Sequence, residues 1–145
     1  FNSLRKNLPD STIRIGDSFK LAKEDQYSNS FNFIIFDNPQ GIFGNYCEHF
    51  ECLDLVPFLI SNDGGVVIFN VNRAPFNYDK ESAWAKKRNK YYGTDDASIL
   101  DAMFLLEFYE VKLETLGFKT VFSFEQKRNE EYLSYLVFNL IHCAE

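Results

Sequence analysis

The sequence predicts a single α/β domain, and three observations carry that prediction. Phe33-Ile34-Ile35-Phe36 and Val66-Val67-Ile68-Phe69 are short uninterrupted apolar runs, which read as strands buried on both faces. Apolar residues at helical spacing follow each run. Two further strand-like segments, joined by a polar turn, form an antiparallel hairpin near residue 145.

The elements follow in order. Thr12-Ile13-Arg14-Ile15 alternate and stop at Gly16-Asp17, a strand and turn, and Phe19 to Ala22 starts a short helix. Glu24 to Asn32 is a polar loop before the Phe33 strand. Phe50, Leu53, Val56 and Ile60 mark a helix over 46–60, which Pro57 should kink or divide. Asn62-Asp63-Gly64-Gly65 is the turn into the Val66 strand, and residues 73–97 form a polar, aromatic-dotted insertion. Ile99, Leu100, Met103, Phe104, Leu106 and Leu113 give a long amphipathic helix with Ser98 or Asp96 as its cap. Leu116-Gly117-Phe118 stops it, with glycine for the left-handed position. Lys119–Glu125 is the more polar hairpin strand and suits an edge. Tyr132–His142 is apolar at both parities, so it belongs inside the sheet.

The 145 residues, 46% of them hydrophobic, suffice for one domain spanning 1–145. A net charge of -6 argues against a surface that coats nucleic acid and leaves room only for a local basic patch. Cys47, Cys52 and Cys143 contain no CxxC pair and only two histidines are present, so neither a disulfide framework nor a metal site is expected. This usage fits a reducing, cytoplasmic setting. No apolar run reaches the roughly 20 residues that span a bilayer. The first residue is Phe, and the sequence reads as part of a longer chain.

Asp37 leaves the Phe33 strand with Asn38, Pro39 and Gln40. In open α/β sheets the carboxyl edge of the strands is where ligands bind, and a proline stiffens such a loop. The segment therefore reads as a site, with a capped turn as the plain structural alternative. Trp84, Lys86, Lys87, Arg88, Lys90, Tyr91 and Tyr92 mix cations with rings, which neutralise phosphates and stack bases in nucleic-acid sites. A solvated helix or lid is the preferred reading of that cluster. His49 and His142 read as packed structural residues, and Cys47 and Cys52 as helix-face residues.

Taken together, Ile13–Ser18, Phe33–Pro39, Gly64–Ile68 and Leu113–Phe124 resemble the later part of a class I S-adenosylmethionine-dependent methyltransferase. The resemblance implies a Rossmann-like, mostly parallel sheet with helices on both faces and a reversed hairpin whose final strand inserts beside the fifth. It also implies that the first strand, its Gly-rich turn and the acidic end of the second strand are supplied by a missing N-terminal segment or a second chain. On this resemblance S-adenosylmethionine is the cofactor. Gly16, Asp17, Ser18 and Phe19 border its adenine, with Asp17 accepting from the exocyclic amine, and the alternative for Asp17 is a turn carboxylate satisfying nearby N–H groups. Asp37 faces the methyl-donor pocket and, with Asn38, is the catalytic candidate. Pro39, Gln40, Trp84 and Tyr91 shape the side of a methyl acceptor of unspecified class. Enzymes that methylate planar amines often carry Asp/Asn-Pro-Pro-aromatic here, whereas this chain has Asp-Asn-Pro-Gln.

Two other functions compete. Ile15-Gly16-Asp17-Ser18-Phe19 resembles the nucleophile block of GDSL-type hydrolases, with Ser18 attacking, but Asn139-Leu140-Ile141-His142 lacks the Asp that would orient the imidazole. A methyltransferase-like subunit that binds a partner without turnover is the non-enzymatic reading.

Overall fold

In the computed structural model, residues 6–7, 10–14, 16–37, 52–75, 78–128 and 133–143 are described. Four strands, β1 (Phe33–Phe36), β2 (Gly65–Asn72), β3 (Phe118–Lys127) and β4 (Leu133–His142), make one sheet in the order β1-β2-β4-β3. β1 runs parallel to β2 with Ile34 opposite Val67, while β4 is antiparallel to both β2 and β3. Among the described residues the sheet is thus mixed rather than mostly parallel. The hairpin is arranged as its hydrophobicity requires. β4, with Leu136, Val137, Phe138 and Leu140 all buried, lies inside, and β3, with Lys119, Val121, Phe122 and Gln126 exposed, lies at the edge.

Among the described residues, the helices α1 (Ser18–Leu21), α2 (Val56–Leu59), α3 (Ala83–Tyr92) and α4 (Ala102–Thr115) accompany the sheet. Pro57 sits in the first turn of α2, where a missing N–H costs no bond, so it opens that helix instead of dividing one. The part of the expected 46–60 helix before Cys52 lies outside the described residues. The cap of α4 is Asp101, which accepts from the backbone N–H groups of Met103 and Phe104; neither Ser98 nor Asp96 serves. Asp96 is engaged elsewhere, with Lys80 and the Ser98 N–H. Gly117 ends the helix at φ 91°, and the buried Phe118 leads straight into β3.

The core lies on one side of the sheet. Ile34, Val67, Phe69, Val71, Leu136, Phe138 and Leu140 share that face and are buried with Leu105, Tyr109 and Leu113 of α4. Phe36, Phe69 and Tyr109 stack in series at 5.4 and 5.1 Å between ring centroids. Each such aromatic contributes about 1.5–3 kcal/mol by leaving water. Leu53, Leu55, Val56 and Leu59 close the same layer beneath β1.

The opposite face differs from the sequence expectation. Phe33 is 55% exposed, Ile35 50%, Phe122 50% and Phe124 46%. No described helix covers them, so β1 is buried on one face only. The strand expected at 12–15 is also missing from its described part, 12–14. Arg14 turns back to Glu24 and to the Tyr27 hydroxyl, both at 3.3 Å, which ties this segment to the loop after α1 and not to the free edge of β1.

Candidate functional site

Asp37 follows β1 at the carboxyl edge of the parallel pair, and three neighbours converge on its Oδ1. The Asn70 amide donates at 2.6 Å, the Tyr135 hydroxyl at 3.3 Å and an Arg128 Nη1 at 3.5 Å. The sheet explains the convergence. Asn70 of β2 pairs with Tyr135 of β4, so their side chains leave the same open face, and Arg128 directly follows β3. The Arg128 guanidinium also stands 5.0 Å over the Tyr135 ring. Asn70 is wholly buried, a position in which an amide must find hydrogen bonds. Among the described residues Oδ2 of Asp37 accepts no hydrogen bond.

A cavity of about 320 Å³ opens beside this carboxylate, floored by Ile35, Ile68 and Val137. Phe124 and Tyr135 wall it, and Asp37 and Gln126 stand at its polar rim. On the helix-covered face, Arg73 Nε donates to Ser134 Oγ at 2.9 Å and pairs with Glu125 at 3.3 Å. The Ser134 hydroxyl donates to the same Glu125 carboxylate. This ionic brace locks the β2–β4–β3 register directly behind the site.

The Asp17 turn is built differently. Asp17 Oδ1 accepts from the N–H groups of Phe19 and Lys20 at 3.0 and 3.4 Å, which is the helix-capping alternative for this residue. A Cβ at Gly16 would come within 3.1 Å of Leu21 Cδ1, so glycine permits a close fold-back here. Phe19 packs against the core, and Ser18 lines a separate cavity of about 380 Å³ along β1 with Arg14, Leu21, Tyr27 and Leu59. The two cavities share Ile35 alone. Asp37 and the Asp17 turn therefore flank β1 without lining a common pocket.

Within the 73–97 insertion, Ala83–Tyr92 forms the helix α3, and its Arg88 is not a solvated cation. Arg88 is wholly buried and donates to the carbonyls of Ala97 (3.0 Å) and Asn72 (2.7 Å), with the Trp84 and Tyr92 rings over its guanidinium. The reading of Arg88 as part of a phosphate-binding cluster is thereby overturned, because its charge is spent inside. Tyr92 is buried with its hydroxyl 3.0 Å from that of Tyr109. Trp84 packs edge-on against Tyr78 and Tyr91 against Phe108, and neither lines the Asp37 cavity. Asn38, Pro39, Gln40, Cys47 and His49 lie outside the described residues.

His142 is exposed rather than packed away. Its ring lies 4.9 Å from Phe118 and Nε2 is 3.1 Å from the Ser61 carbonyl, at the amino end of β2 and outside the cavity that Ser18 lines. Cys143 is exposed and in no disulfide. Among the described residues no cluster of three His, Cys, Asp or Glu could hold a metal, and no helix is long and apolar enough to cross a membrane. One carboxylate is strongly perturbed. Hydrogen bonds from Lys80 and Ser98 and the Lys80 charge hold Asp96 down at about 2, and Asp96 in turn raises Lys80.

The sequence pattern singles out Asp37 but not Asn70, Tyr135 or Arg128. A signal for Asn70 does exist: the apolar run Val66–Phe69 is broken by an amide in mid-strand. Compared with family models, curated proteins and solved structures, the chain matches none.

Proposed function

We propose that this chain is the later part of a Rossmann-like, class I methyltransferase-like domain serving methyl transfer from S-adenosylmethionine to an acceptor at the Asp37 edge. The observation that carries this reading is the strand order. β4 inserts antiparallel beside β2 with β3 outermost, the arrangement the resemblance implies, and the same order gathers Asn70, Tyr135 and Arg128 around Asp37.

The residues present fit the cofactor in part. Asp17 spends Oδ1 on its own helix, leaving Oδ2 for the adenine amine, with Gly16, Ser18 and Phe19 bordering the ring. S-adenosylmethionine supplies an electrophilic methyl group on a sulfonium centre. Asp37, fixed through Oδ1, presents Oδ2 to orient a nucleophile or to complement positive charge, and such catalysis is mostly positioning. Asn38, Pro39 and Gln40 belong to the acceptor side of this loop. Trp84 and Tyr91 are withdrawn from that role because they line other contacts. The missing cofactor-gripping elements come from an N-terminal segment or a second chain, in a reducing cytoplasm.

Isothermal calorimetry with S-adenosylmethionine, and with the demethylated product as control, tests the reading. Binding that Asp17→Ala weakens supports it, and a folded protein giving no heat at millimolar ligand refutes it. A non-catalytic methyltransferase-like subunit is the second reading, favoured by the uncovered apolar face of the sheet. Co-purification with a partner chain without methyl transfer would select it.

A further inference from the structure

We propose that the open-face cavity beside Asp37 is a binding site for a small flat aromatic ligand carrying a nitrogen donor, of the aryl amidine or aminoarene class. The inference concerns that cavity alone and stands whether or not the chain serves methyl transfer.

Shape and chemistry agree. About 320 Å³ is at the small end of ligand pockets, room for one ring system and a substituent. The floor of Ile35, Ile68 and Val137 is aliphatic, and Phe124 and Tyr135 offer ring surfaces suited to a flat aromatic body. The polar rim is biased toward acceptors. Asp37 Oδ1 is saturated by three donors, while Oδ2 accepts nothing among the described residues. The Tyr135 hydroxyl donates to Asp37, so what it has left to offer a ligand is an acceptor oxygen. Gln126 Nε2 donates to the Lys127 carbonyl at 3.1 Å, leaving Oε1 as an acceptor. A ligand bringing N–H donors completes these groups, whereas a carboxylate meets oxygen against oxygen. Arg128 pairs with the carboxylate through Oδ1, so what a ligand N–H meets at Oδ2 is an open acceptor and not an unpaired charge.

The test uses benzamidine, with benzoate and benzyl alcohol as ring-matched controls, titrated into methyl-labelled protein and followed by NMR. Benzamidine should shift the methyl signals of Ile35, Ile68 and Val137 with a millimolar midpoint, and both controls should bind at least about tenfold more weakly. Asp37→Asn, which removes the charge and places an amide at the rim, should weaken benzamidine about fivefold, and Gln126→Leu about twofold. Gln126 is exposed on the edge strand, so that second variant reports on the site without disturbing the core. Equal binding of benzyl alcohol would reduce the cavity to mere apolar surface and overturn the proposal. So would unaltered affinity in Asp37→Asn, or shifts confined to other methyls.

Discussion

Replacing Arg88 by Met separates a structural cation from a ligand-binding one. Methionine keeps an unbranched apolar stem but removes the guanidinium and its N–H donors. The carbonyls of Ala97 and Asn72, now served at 3.0 and 2.7 Å, are then left inside without them. Hydrogen bonds from a charged group are worth about 1.5–3 kcal/mol each. The guanidinium–ring contacts with Trp84 and Tyr92 add about 1–2 kcal/mol when desolvated. Against this stands the relief of no longer burying a charge, several kcal/mol. The net loss is about 3 kcal/mol, or roughly 6–12 °C in Tm at 2–4 °C per kcal/mol for a chain of this size. Urea unfolding followed by circular dichroism measures it. Lys86→Met and Lys90→Met, on the exposed side of the same helix, should stay within about 0.5 kcal/mol. If Arg88→Met matched those controls in stability and instead weakened binding to a single-stranded oligonucleotide, the structural role would be refuted.

Three further outcomes follow from the geometry. The Asp96 carboxylate, titrated by carbon-detected NMR, should have its midpoint at about 2, and Lys80→Met should move it up toward the ordinary 3.8. Because the folded value lies below the unfolded one, the Asp96 contribution is in place above about pH 3.8 and is lost as pH falls through 2. Lys80 is shifted upward, so its contribution holds below pH 10.5 and is lost as pH rises through its higher folded value. Gly65→Ala should prevent folding or cost more than about 3 kcal/mol, since its Cβ would stand 2.4 Å from the Asn32 carbonyl oxygen. Gly93→Ala meets nothing within 4 Å and should cost only about 1 kcal/mol for its φ of 68°, as thermal unfolding of both variants would show. Asp101→Ala should cost about 1 kcal/mol through the lost cap of α4, whereas Ser98→Ala should be near neutral in the same assay.

What the sequence made legible was whatever depends on the chain's own periodicity. Apolar residues at both parities place β4 inside the sheet, Lys119, Ser123 and Glu125 place β3 at its edge, and Gly117 marks the end of α4. Asp37 was found because a charge at the exit of an apolar strand is a local signal. Its partners were not, since Asn70, Arg128 and Tyr135 meet it only through strand register across distant segments. The cap of α4 is not legible in the sequence, because Asp96, Ser98 and Asp101 all qualify by type and only the fold decides which backbone N–H groups each can reach. The run at β1 reads as doubly buried, yet an apolar residue states a preference and does not supply the layer that satisfies it.

The interleaving of β4 between β2 and β3 has a consequence for how the molecule comes into being. As the chain leaves the ribosome, β2 and β3 emerge with no bonds to each other and wait, for times on the order of seconds, until residues 133–142 follow. During that interval both would offer bare edges to any passing strand. A nascent chain halted when the residues up to Leu133 have just cleared the exit tunnel should therefore be a far better client for a holding chaperone than one halted after His142 has also emerged.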